Sequence, residues 1–453
     1  KDSSLQKLGT GFVNPIAEMV YLRGNNVSKA HYLNASPYLI ISPIKGLTLK
    51  TQFGYKMSSS SYRSYYPEYE LNRNNSRFKE SSSVTQQMGN GWSYTWENTI
   101  NYRFDIGKHN VDALVGHSME KSGMGEELSA TNKDLLFEGM DYAWITNSQS
   151  KTPTAFGYPW TAGRLVSFFG RINYNYNETY MLSLIMRRDG SSNFARGQRW
   201  GNFPSISAGW VITQENFMEK TRNWLDFLKI RASWGQNGNC NITPYQYLAS
   251  IAFDGHAGYS FGNIRNSYYQ GAYPDILPNP NVTWETSEQT NIGIDARFLN
   301  QRLGVTVDYY IKKTKDWLVQ APIMDTYGTN APYINGGDVE NKGFEVSLDW
   351  HDTIGSDFNY SAGLNFSYNK NEITRIDNAE QIIWGSTNVL SEGTSAVYRC
   401  MVGEPIGYFY GYKTAGVFQN QADIDAWKAQ YGENCFLQIN PQPGDLKFVD
   451  TDG

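Results

Sequence analysis

From Gly170 to Phe194 the chain reads GRINYNYNETYMLSLIMRRDGSSNF, and its side chains alternate with a period of two. Ile172, Tyr174 and Tyr176 fall on one face; Arg171, Asn173 and Asn175 fall on the other. Past the polar break at Asn177 and Glu178, Tyr180, Leu182, Leu184 and Met186 line one face, opposite Thr179, Met181, Ser183, Ile185 and Arg187. Successive side chains of a strand point to opposite faces, so a period of two held this long specifies antiparallel strands with different surroundings on their two sides.

The same pattern predicts strands over 27–41, 47–55, 92–104, 109–117, 165–175, 179–188, 203–212, 226–234, 287–298, 303–312, 342–350 and 358–368. Short connections (42–46, 105–108, 176–178, 299–302 and 351–357) alternate with long ones (56–91, 118–164, 189–202, 235–286 and 313–341). The intermediate 213–225 falls where a short one is due. An up-and-down sheet with tight turns on one edge and elaborated loops on the other has the asymmetry of outer-membrane barrels. The faces agree. Thr290, Ile292, Ile294, Ala296 and Phe298 oppose Asn291, Gly293, Asp295 and Arg297. Phe344, Val346, Leu348 and Trp350 oppose Gly343, Glu345, Ser347 and Asp349. The apolar set is aliphatic in the middle and aromatic at the ends, as a lipid-facing band with aromatic girdles requires. The fold class read from this is all-β: a large antiparallel transmembrane β-barrel. A soluble sandwich or propeller also alternates. A propeller would repeat every roughly 40 residues, which this chain does not, and a sandwich has little use for long loops on one edge only. A soluble β-rich glycan-binding protein is the alternative from another class, and it predicts extraction without detergent.

Composition narrows the function. The 453 residues carry a net charge of -5, which gives no basic footprint for nucleic acid. Aromatic residues make up 15%, with 32 Tyr and 13 Trp. No apolar run approaches the about 18 residues of a membrane helix, but barrel strands need only about 10 alternating residues. The 3 cysteines form no CxxC pair; the spacing of Cys400 and Cys435 admits a loop disulfide without requiring one. His31, His109, His117, His256 and His351 are scattered, with no HExxH or GxSxG, so no enzyme is expected. The chain begins at Lys1 without a signal peptide and stops within GDLKFVDTDG, and is read as an internal piece of a longer precursor. The closing DTDG opens like a calcium loop, with Asp450 and Asp452 as the alternating carboxylates, but reads first as a polar turn.

FFGRINYNYNETYMLSLIMRRDGSSNF, followed by GQRWGNFPSISAGWVITQENFM, resembles the SusC/RagA family of TonB-dependent outer-membrane transporters. So, in order, do WLDFLKIRASWGQNGN, LPNPNVTWETSEQTNIGIDARFLNQRLGVTVDYYIKKTKDWLV, GGDVENKGFEVSLDW, GEPIGYFYGYKTAGVFQNQADIDAW and PGDLKFVDTDG. The matching blocks span most of the chain from Asn14 onward. The resemblance implies a barrel of about 22 strands with a plugged lumen, of which residues 1–453 would be the central-to-late part, without the N-terminal plug, the TonB box and the final strands. It implies a Bacteroidetes-type outer membrane, a SusD-like lipoprotein lid, and import of oligosaccharides or oligopeptides driven by TonB–ExbB–ExbD. A siderophore- or cobalamin-type receptor without a lid is the runner-up.

Two sets of residues follow as candidates. Arg171, Asn173, Arg187, Asn291, Asp295, Arg297, Glu345 and Asp349 are expected to face the lumen, where polar walls meet water or a plug. Tyr62, Tyr65, Tyr66, Tyr69, Trp160, Tyr268 and Tyr269 are read as loop aromatics that contact substrate or lid. Flat rings stack on sugars, and the Tyr hydroxyl adds a hydrogen bond; packing within the loops is the competing reading.

Overall fold

The computed structural model describes residues 15–449, apart from 73–76, 254–258, 261–267, 270, 322, 324, 388, 390–393 and 433–434. One antiparallel sheet of 14 strands dominates it. Its strands are β1 (Asn26–Ala35), β2 (Tyr38–Ile41), β3 (Leu47–Tyr66), β4 (Ser83–Ile106), β5 (His109–Lys133), β6 (Thr154–Pro159) and β7 (Gly163–Tyr176). They continue as β8 (Tyr180–Ser191), β9 (Trp200–Val211), β10 (Leu225–Asn239), β11 (Glu285–Phe298), β12 (Leu303–Lys315), β13 (Gly337–Ile354) and β14 (Phe358–Ile376). The order is sequential from β1 through β3, β4, β5 and β7 to β14, with β2 on β3 and β6 on β5.

Every predicted strand is present, and most are longer than the alternation suggested. β3, β4 and β5 run 20, 24 and 25 residues, against the about 9–11 that cross a bilayer. Much of what reads as the loops 56–91 and 118–164 is therefore strand. The extensions are rich in Ser, Gly and charge, as in MSSSSYRS and SGMGEELSATNK. Apolar side chains are sparse on both of their faces, so the apolar alternation that marks a strand fades although the ladder continues. The predicted strand 27–41 is two strands, broken at Ser36 and Pro37. Pro37 has no N–H to give the ladder, and its carbonyl accepts instead from the Phe53 N–H at 3.0 Å.

Register fixes the two faces. Tyr174, Leu182 and Ala208 lie side by side, as do Ile172, Leu184 and Ile206. The apolar face continues across Ile230, Ile294, Val307, Val346 and Phe366. Its side chains stay open to the surroundings: Leu184 is 41% and Leu364 63% exposed. At the tight-turn end, Tyr180 stacks on Trp210 at 6.3 Å and Trp224 on Phe298 at 6.0 Å. Trp210 Nε1 and the Tyr180 hydroxyl both donate to Glu215 Oε1, at 3.0 and 2.5 Å. An aliphatic band between aromatic rows is the outer surface of a protein solvated by lipid.

The three buried core clusters lie instead at the long-loop end, although Val211, Ile212 and Leu225 are also buried at the tight-turn end. Phe194, Phe203, Ile242, Val282 and Trp284 form one core; Tyr65, Val84, Leu135 and Ala143 a second; Val339, Ile373 and Ile376 a third. These small cores order the loops into a crown. After β14 the chain also forms a helix the sequence reading did not place, Gln421–Tyr431, whose Asn420 cap accepts from the Asp423 N–H at 3.0 Å. Cys240, Cys400 and Cys435 are all free, so the Cys400–Cys435 disulfide is not formed; Cys400 instead packs against the third core.

Leu184→Arg, in the middle of the apolar band, is expected to cost about 2–4 kcal/mol. Ser207→Arg, on the polar face of the neighbouring strand, should change stability by only about 0.5 kcal/mol. Denaturant unfolding of the intact protein in lipid vesicles reads both, and equal costs would contradict the assignment of the faces.

Candidate functional site

The polar face is a network of paired charges. Arg231 on β10 reaches across the two following strands: Nε donates to Asp295 at 3.0 Å and Nη2 to Asp308 at 2.6 Å. Its Nη1 donates to Asn291 at 3.3 Å. The guanidinium can lie flat because Gly293 stands directly opposite Arg231; a Cβ there would sit 2.5 Å from the Arg231 Cζ. The same device recurs at Gly304, where a Cβ would collide with both members of the Arg297–Asp349 bridge, which is 3.1 Å long. Arg171 pairs with Asp112 at 3.1 Å, and the Ser183 hydroxyl donates to Asn173 at 2.7 Å. Around them lies a hollow of about 580 Å³, lined by Arg103, Asp112, Arg171, Asn173, Lys229 and Arg231 among others.

All eight wall residues expected from the sequence share this face by register parity. Arg187 is held at the crown end: its Nε donates to both Asp189 oxygens at 2.9 Å and its Nη2 to Ser167 at 2.9 Å. Glu345 stands opposite Asp308 in the register and is exposed. Arg231, Asp308 and Asp112, which hold the network together, were missed. The signal was present: each lies between outward apolar neighbours, Ile230 and Ala232, Val307 and Tyr309, Val111 and Ala113.

The aromatic candidates do not form one cluster, and several are not loop residues. Tyr62, Tyr65 and Tyr66 lie on β3, and Tyr69 begins the short strand Tyr69–Asn72. Neighbours on a strand point to opposite faces, so Tyr65 and Tyr66 diverge. Tyr65 is 6% exposed in the second crown core. Its hydroxyl donates to Glu138, and burial first and that carboxylate second push the phenol up to about 12. Tyr65 is thus a packing residue. Tyr66 is exposed beneath the Lys79 ammonium, 4.7 Å from its ring, and Tyr69 stacks on Tyr21 at 5.5 Å. The Trp160 indole lies across Gly89, Gly91 and Gly125, where any Cβ would meet it. Three glycines make the slot that docks this loop onto the sheet. Tyr268–Tyr269 form a two-residue strand paired with Tyr259–Ser260. Asp450 and Asp452 lie outside the described residues.

The crown is also pinned electrostatically. Arg375 grips Asp338 with two bonds, Nε at 2.9 Å and Nη2 at 3.0 Å, and reaches Asp316 at 3.1 Å. Burial works against the Asp338 charge, but the guanidinium and the Asp316 N–H outweigh it and hold the carboxyl below its usual range. Beside the first core, a second hollow of about 650 Å³ is lined by Arg187, Asp189, Phe203, Asn237, Asn239 and Trp284 among others.

Comparison with known proteins gives a consistent picture. The family model described as TonB dependent receptor-like, beta-barrel, matches residues 21–427. TonB-dependent receptor P26 of Formosa agariphila is 31% identical over 424 residues, covering 92% of this chain and 41% of its own. TonB-dependent receptor SusC of Bacteroides thetaiotaomicron is 32% identical over 325 residues, covering 69% of this chain and 31% of its own. The solved RagAB peptide transporter is similar with a TM-score of 0.74 at 26% identity, covering 87% of this chain and 41% of that one. The chain spans between 31% and 43% of the length of the curated relatives it matches.

Gly304→Val is expected to displace the Arg297–Asp349 bridge and cost about 1–3 kcal/mol by overpacking. Gly363→Val serves as control: Gly363 pairs with Asp349 in the register, but a Cβ there meets nothing nearer than 4.0 Å. Chemical denaturation of the two variants in lipid vesicles should separate them.

Proposed function

This chain belongs to the TonB-dependent receptor β-barrel family of outer-membrane transport proteins, and from that premise we propose that the intact protein is a SusC-like nutrient importer of oligosaccharides. Residues 1–453 supply the central-to-late part of its barrel. The polar face lines the lumen, and its paired charges make a stiff wall against which a plug sits. A SusD-like lipoprotein closes over the crown as a lid, and TonB–ExbB–ExbD supplies the energy through a TonB box outside this segment. Substrate is captured between lid, crown and plug; displacement of the plug then admits it to the periplasm. No bond chemistry is needed.

The observation that carries this reading is the pairing of one continuous two-faced sheet with an ordered crown on one edge only. The resemblance of the sequence to the SusC/RagA family, which implies oligosaccharide or oligopeptide import, is compatible with the glycan side of the proposal. The upper hollow supports it too, because aromatic rings beside amides suit the apolar faces and hydroxyls of sugars. A second reading, oligopeptide import, is favoured by the likeness to a peptide transporter. Of the sequence candidates, Tyr62, Tyr66 and Tyr69 remain proposed contacts for substrate or lid, with Tyr268 and Tyr269 on the same footing.

The intact protein purified in mild detergent is expected to bring a lipoprotein with it, and mass spectrometry of the complex should find a retained glycan. A retained peptide would move the substrate class to oligopeptides. A barrel that purifies alone would favour a lidless siderophore- or cobalamin-type receptor.

A further inference from the structure

The apolar face ends, toward the crown, in a row of charges that divides into two arcs. On β11 to β14 every cation of the row is paired. Lys315 meets Glu288 at 3.0 Å, Lys313 and Lys342 share Glu340 at 3.5 and 2.5 Å, and Lys370 meets Glu372 at 2.8 Å. On β5, β7 and β8 the row holds Lys121, Arg164 and Arg188. Among the described residues none of these three has a carboxylate within ion-pair distance. Lys121 and Arg164 are directly opposite in the ladder, an arrangement of like charges that destabilises a sheet unless an anion joins them.

Their surroundings fix the kind of anion. Arg188 pairs across the ladder with Phe168, and its guanidinium lies 5.2 Å from the Trp200 ring. Phe168 contacts Trp200 at 6.2 Å and His117 at 5.0 Å. Trp200 fits because Gly190 beside it has no side chain; a Cβ there would sit 2.9 Å from the indole. By alternation Met119 and Val166 continue this face between the rings and the upper cations, while Glu120 turns to the opposite face. Aromatic rows sit at the level of lipid headgroups, and Arg and Lys extend from apolar surface toward that level. Arg164 stands four residues along β7 from Phe168, about 13 Å, so the three cations reach more than one anionic group.

We propose that the outward face of β5, β7 and β8, beside the aromatic row at the crown end, binds the phosphate groups of a phosphorylated glycolipid of the outer leaflet. Lys121 and Arg164 take one phosphate and Arg188 another, while Phe168, Val166 and Met119 receive the acyl chains. The apolar floor is what a free phosphate would not use. The ion-paired arc from β11 to β14 has no such preference, so the glycolipid occupies one side of the barrel.

The test uses the intact protein in detergent and native mass spectrometry, titrating bis-phosphorylated lipid A against lipid A stripped of its phosphates. The phosphorylated form should bind at least about tenfold more tightly. Lys121→Gln/Arg164→Gln/Arg188→Gln should erase the preference, and Lys313→Gln/Lys315→Gln/Lys370→Gln should leave it. Arg188→Lys, which keeps the charge, should retain it, and Arg164→Gln alone, at an exposed position, should weaken it without risk to folding. Heat-shifted electrophoretic mobility checks that each barrel is folded. Equal binding of the two lipids, an unchanged preference in the triple variant, or displacement of the lipid by excess inorganic phosphate would each overturn the proposal, the last by showing a free-anion site.

Discussion

Hydrocarbon offers no partner for a backbone N–H or C=O, and the architecture follows from that single deficit. Each unpaired group costs several kcal/mol in lipid, so a chain that crosses it must pair every one internally. Along the main path of the sheet, β3 to β13 do so with antiparallel ladders in sequential order, each bonded to a strand on either side. Once the ladder is fixed, alternation decides everything else. One set of side chains meets lipid and the other meets water, and a register slip of one residue would exchange them. The two faces are thus a consequence of the hydrogen bonding, and the transport reading is a consequence of the two faces.

The polar face shows how such a wall is kept rigid without a core. Its ion pairs are only partly shielded; Arg297 and Asp349 keep 41% and 49% of their side-chain exposure. Pairs that open contribute little stability each. Their value here is geometric. Gly293 and Gly304 leave room for guanidinium groups to lie across the strands, so that Arg231 ties three strands together and Arg297 spans the width of one. Packing energy is concentrated at the crown, where Phe194 and Ile373 are fully buried. The wall is thus stiffened by cross-strand geometry and the crown by packing, each independently of the other.

How legible each part was depended on whether its two faces differ. Where they do, as in Tyr180 to Arg187, the sequence specified strand, face and partner class together. Where apolar side chains are sparse, as in Ser58 to Ser61 or Gly123 to Lys133, the same ladder continued unseen. The wall residues were legible because parity alone selects them. Arg231 and Asp308 were missed because their roles appear only when register brings β10, β11 and β12 side by side. The aromatic candidates were the least legible: SYRSYYPEYE looks like one sticky loop, yet β3 runs through it and sends Tyr65 into a core and Tyr66 into the open. Trp160 gave no hint of its slot, since its three glycines lie on two other strands.

The most direct test of the account is the accessibility of consecutive residues along β8 in the intact protein, reconstituted in lipid. Spin labels are placed singly on cysteines at positions 181 to 187, after replacement of Cys240, Cys400 and Cys435. Labels at Leu182, Leu184 and Met186 are predicted to be open to oxygen dissolved in the bilayer and closed to a water-soluble relaxation agent. Labels at Met181, Ser183 and Ile185 are predicted to lack the oxygen signal. Accessibility that fails to alternate, or labels at Leu184 and Met186 that meet the water-soluble agent freely, would contradict the claim that one face of this sheet lies in lipid.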